Sequence, residues 1–164
     1  MSKKTFKKIK GKFFPLENEL MNSAIVKQGM ITALDIIAYQ MIGLQKTGDR
    51  KHDSELKCPY WKVAHLMSEP RYTQAKFRLW AYRMILVSEW GRKKRRASRF
   101  MMFNKWRTLI RMPERLEKIH KLVNEYEKLH RKKLNNPHSS RPAMIKAKRM
   151  KRIGIKKKIT GIRV

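Results

Sequence analysis

Apolar positions in this chain recur first at helical spacing and then in strand-like runs. After the apolar segment Phe13-Phe14-Pro15-Leu16, residues 17–24 read as a short helix. Thr32-x-x-Asp35 has the form of a capping box, in which hydroxyl and carboxylate each accept a backbone N–H. It opens a helix that sets Leu34, Ile37, Ala38, Met41 and Leu44 on one face. The polar run 46–51 reads as a turn, and 54–58 as a short strand. Pro59 suits the first turn of a second helix, 59–67, with Trp61, Ala64 and Met67 inward. Ser68 is placed to cap a third helix, with Pro70 in its first turn. That helix runs to about residue 83, with Thr73, Phe77, Trp80 and Met84 on one side. Two strands, 85–90 and 97–103, then flank a turn at 91–96.

Charge divides the chain further. Forty-two Lys and Arg face twelve Asp and Glu among 164 residues, a formal net charge of +30. Like charge at this density opposes compaction, so it implies a polyanionic partner. Residues 1–12 carry +6, 13–106 carry +9, 107–134 carry +5 and 135–164 carry +10. The 13–106 block also holds all four Trp, four of five Tyr and five of six Phe, so the core belongs there. This predicts a basic N-terminal arm (1–12), a core domain (13–106), an amphipathic helix (107–134) and a basic flexible tail (135–164). The expected class is mainly α with a small β-hairpin.

Helix, short strand, helix, turn, helix and hairpin is the order of a winged helix-turn-helix. The strings Phe14-x-Leu16, Glu19-Leu20-x-x-Ser23-Ala24, Leu56-Lys57-Cys58-Pro59-Tyr60, His65-Leu66-Met67-Ser68 and Arg71-Tyr72-Thr73-Gln74-Ala75-Lys76-Phe77 carry a resemblance. So do Ile85-Leu86-Val87, Gly91 and Ala97-Ser98-Arg99-Phe100 ending at Trp106. Over residues 13–106 the chain resembles winged helix-turn-helix DNA-binding proteins of phages, plasmids and other mobile elements. Such proteins usually place Gly just before the first wing strand, where this chain has Met84. The resemblance implies a recognition helix at 70–83 and a wing at 91–96.

On this reading Arg71, Gln74, Ala75 and Arg78 point outward from the third helix, where Arg and Gln can read base edges in a major groove. The bland counterpart is a solvated helix face. Arg92, Lys93, Lys94, Arg95 and Arg96 place five cations at the hairpin tip, with Arg99 following on the strand, suited to phosphates or a minor groove. Leu116, Ile119, Leu122, Val123, Tyr126 and Leu129 form a stripe that either packs back on the domain or pairs two copies through 113–134. The acid-free tail would tether phosphates without sequence preference.

The function expected is sequence-specific binding of double-stranded DNA, as a transcriptional regulator or a replication or plasmid-maintenance factor. The alternative is a structural RNA-binding component of a ribosome or ribonucleoprotein. An enzyme is not expected. The five His are scattered, there is no phosphate-binding Gly-rich loop, and the one cysteine, Cys58, forms no multi-cysteine metal site. No cofactor or metal is expected. No apolar run approaches the roughly 18 residues that span a bilayer, and residues 1–12 lack an apolar h-region, so a cytoplasmic, nucleoid-associated protein is expected.

Overall fold

The computed structural model describes residues 17–90, 98–134 and 142–164. It is mainly helical with one small antiparallel sheet. In chain order these are α1 (Asn18–Met21), α2 (Ala24–Lys27), α3 (Ala33–Gly43), α4 (Arg50–Asp53), β1 (Leu56–Lys57), a 3₁₀ turn (Tyr60–Lys62) and α5 (Glu69–Ala81). There follow β2 (Ile85–Glu89), β3 (Arg99–Met102), α6 (Trp106–Ile110), α7 (Pro113–Leu134) and α8 (Pro142–Gly161). The sheet order is β1-β3-β2, with Leu56 opposite Phe100 and Val87 opposite the same Phe100 from the other side.

Local chemistry explains where the central helices begin and end. Thr32 and Asp35 form the capping box, the Asp35 carboxylate accepting the Thr32 N–H at 2.7 Å. The face of α3 is broader than expected, because Ala38, Tyr39 and Ile42 are buried while Leu34, Ile37 and Met41 pack at its flanks. α5 starts after Ser68 with Pro70 in its first turn. It ends in a Schellman motif: Met84 N–H reaches Leu79 C=O at 2.9 Å, and Arg83 N–H reaches Trp80 C=O at 3.1 Å. The left-handed residue of that motif is Arg83, at φ +62°, where glycine is the usual choice. The turn before β2 is therefore closed without glycine, and Met84 beside it is fully buried.

The second helix departs from expectation. One 3₁₀ turn is present, Trp61 and Ala64 face solvent, Val63 points inward instead, and Met67 is inward as expected. Tyr72 of α5 donates its hydroxyl to Cys58 C=O at 2.6 Å, fixing where the segment starts. With Val63 locked into the core, Trp61, two residues earlier, falls on the opposite side.

The larger correction is at the C-terminal end. The expected flexible tail is helical from Pro142 to Gly161, and Ile155 and Ile159 of α8 are buried. They pack with Leu116, Ile119 and Val123 of α7 in the same core as α3 and α5. Of the two alternatives for the α7 stripe, packing back on its own chain is the one seen, so the stripe is not left open for a homodimer seam. Three cations hold the end of α8: Arg83 donates to Ile159 C=O (2.6 Å) and Ile162 C=O (3.0 Å), Arg115 to Arg163 C=O (2.6 Å), and Lys105 to the Val164 main-chain oxygen (3.3 Å). Cations at the negative end of a helix dipole satisfy carbonyls that the helix leaves unpaired.

Candidate nucleic-acid interface

α5 is the element on which the expected base-reading residues sit. Its inner face is Tyr72, Ala75 and Leu79, packed toward α3 and the sheet. A second buried line runs through Phe77, which stacks on Tyr126 of α7 with ring centroids 3.8 Å apart. What remains open is the first half of the helix, where Glu69, Pro70, Arg71 and Thr73 are exposed and Gln74 is half-buried.

This placement sorts the expected residues. Arg71 faces solvent, and Gln74 lies at the edge of the open region. Ala75 is fully buried, because its position falls between Tyr72 and Leu79 on the inner face, so it cannot touch a groove. Arg78 does not point outward as a free cation. Its guanidinium pairs with Asp35 of α3 at 3.0 Å and with Glu127 of α7. Burial opposes its charge, yet the two carboxylates outweigh this and hold it above the ordinary arginine range. Arg99 is partly exposed and pairs with Glu55 at 2.8 Å. Arg92, Lys93, Lys94, Arg95 and Arg96 lie outside the described residues.

A group that sequence reasoning missed lies beside α5. The Lys156 ammonium of α8 sits 4.0 Å from the Trp90 ring centroid and 6.0 Å from those of Phe77 and Tyr126. Trp80 meets Trp90 edge-on at 5.8 Å. Burial first, then Arg152 and Lys76, pushes the Lys156 ammonium below the ordinary lysine value. The aromatic box fixes α8 against the C-terminal half of α5 and the end of β2. A signal for it exists in the sequence: Ile155, Ile159 and Ile162 stand at i, i+4 and i+7, a helical stripe hidden by the lysines between them.

With α8 helical, its basic residues are displayed in order. Lys146, Arg149, Lys151, Lys157 and Lys158 are exposed along it. Such a helix can neutralise phosphates without reading bases. The Cys58 thiol is buried, which pushes its pKa up. Among the described residues no group of three His, Cys, Asp or Glu is placed to hold a metal ion, and no helix is long and apolar enough to cross a membrane. Comparison with protein-family models, curated proteins and solved structures finds no match to this chain.

Proposed function

We propose that the chain binds double-stranded DNA as a winged helix-turn-helix protein, acting as a transcriptional regulator or a replication or plasmid-maintenance factor at the nucleoid. The observation that carries this reading is the open first half of α5, which follows helix α3, strand β1 and the 3₁₀ turn and precedes the antiparallel β2 and β3, in a sheet of order β1-β3-β2. Base reading falls to Arg71 and Gln74, since Ala75 is buried and Arg78 is paired. The cations of residues 92–96 supply phosphate contacts in this reading. The exposed cations of α8 add sequence-independent affinity.

The test is to enrich preferred duplexes from a random pool with the unmodified protein. Arg71→Ala and Gln74→Ala are then titrated against the enriched and random duplexes at fixed salt. Each substitution should cost about 1–3 kcal/mol on the enriched site and little on random duplex. Failure to enrich any duplex, together with tight binding of structured RNA, would transfer the reading to a ribonucleoprotein component.

A further inference from the structure

Trp61 is the most exposed large apolar side chain among the described residues, at 72%. Indole carries a large apolar face, and its outward placement here is imposed by the fold. The segment is pinned by the Tyr72 hydroxyl on Cys58 C=O, by the 3₁₀ bonds Lys62 N–H to Pro59 C=O (3.0 Å) and Val63 N–H to Tyr60 C=O (2.9 Å), and by fully buried Val63. The ring is held out on a built turn.

Beside it lies a groove of about 600 Å³, lined by Gln45, Thr47, Lys51, His52, Lys57 and Lys62 together with two acids. Lys62 joins the two features. Its ammonium lies 5.5 Å from the Trp61 ring centroid and donates to the Gln45 side-chain oxygen in the groove. Both acids are already engaged: Asp49 accepts the Lys51 N–H at 3.3 Å, and Glu55 pairs with Arg99. Lys51 and Lys57 have no ion-pair partner among the described residues. The groove wall is itself ordered, since Asp53 accepts the Thr47 N–H at 2.8 Å and the Gly48 N–H at 3.1 Å. An aromatic face next to uncommitted cations, on a pre-organised turn, is the arrangement that binds an unpaired base and its phosphates.

We propose that Trp61 and the adjoining Lys51–Lys57–Lys62 groove form a single-strand binding site, with an unpaired base stacked on Trp61 and the neighbouring phosphates in the groove. This site is separate from the open half of α5 and does not rest on the duplex reading. A base in a closed duplex cannot present its face to Trp61, so the site distinguishes unpaired from paired nucleic acid.

The experiment titrates the full chain with fluorescently labelled oligothymidylate and oligouridylate of about 12 nucleotides and with a random duplex, following anisotropy at several salt concentrations. Trp61→Ala should weaken single-strand binding about 5- to 150-fold, as removal of one stacked base does. It should leave the duplex affinity and the thermal melt unchanged, because the ring is exposed. Trp61→Phe should recover most of the affinity. Lys51→Gln with Lys57→Gln should flatten the dependence of log K on log salt by about 0.7 for each phosphate no longer neutralised. The two oligonucleotides tell whether the strand is DNA or RNA. Arg71→Ala should spare the single-strand titration, so failure of the duplex reading and failure of this site are separate results. Single-strand affinity unchanged in Trp61→Ala, or equal weakening on single strand and duplex, would overturn the site.

Discussion

The two halves of α5 share one helix and opposite surroundings. The first half, with Arg71 and Thr73, opens to solvent; the second, with Phe77 and Arg78, lies under α7 and α8. Arg71 and Arg78 are two turns apart on almost the same side of the helix, yet one is free for a ligand and the other neutralises two carboxylates. Helical periodicity sets Phe77 inward, where it lies, but also Thr73, which is exposed, while Tyr72, Ala75 and Leu79 fill the inner face. Periodicity does not tell whether a distant segment of the chain returns to cover an outward face.

Removing each arginine in turn puts this contrast to its most severe test. Arg78→Ala leaves Asp35, 2% exposed, and Glu127, 9% exposed, buried without their cation. Breaking a buried ion pair from one side costs about 3–5 kcal/mol. Arg71→Ala removes an exposed side chain and should change stability by no more than about 0.5 kcal/mol. Urea unfolding of both variants measures the difference. Equal, small changes would mean that the second half of α5 is not held by this triad.

Next in size is the packing that brings α8 onto the core. Ile159 is fully buried, and Ile159→Ala should cost about 2–5 kcal/mol through reduced burial and the cavity left behind. The effect should be local as well as global: amide exchange in α8 should speed up more than in α3, which has its own capping box and core. Uniform acceleration across both helices would mean that α8 and the central domain unfold as one unit.

Legibility in the sequence follows locality. The Thr32/Asp35 box, the Pro70 start of α5 and the two long strands depend on neighbours within a few residues, and each lies close to its expected place. Trp61 defeats the inward expectation because apolar character alone does not set direction; Val63 and Met67, at i and i+4, already fill the inner positions. Arg78 defeats the outward one because its partners lie 43 and 49 residues away. A sign of its pairing exists in Glu127, which stands in phase with Ile119 and Val123 on the apolar stripe of α7. A carboxylate there demands a cation from the facing element. In the tail, a net charge of +10 obscures the isoleucine spacing of α8.

A smaller effect, and one that discriminates how the covered half is held, is expected at Lys156. Two influences compete at its ammonium: the faces of Trp90, Phe77 and Tyr126 attract it, while burial and the nearby Arg152 and Lys76 disfavour its charge. The second influence, burial first and then Arg152 and Lys76, lowers the pKa of the ammonium. Lys156→Met keeps the apolar stem between the rings and removes the charge, so at neutral pH stability should change by no more than about 1 kcal/mol. The sign appears on raising the pH. Between the lowered folded value and the ordinary 10.5, the unfolded chain binds a proton at Lys156 that the folded chain does not. Folding then gains stability as pH rises. The stability of the unmodified protein relative to Lys156→Met should therefore grow through that window and level off above the unfolded value, measured by denaturant unfolding at stepped pH. A relative stability that shrinks with pH would show that ring attraction outweighs burial, and that the box grips α8 by its charge.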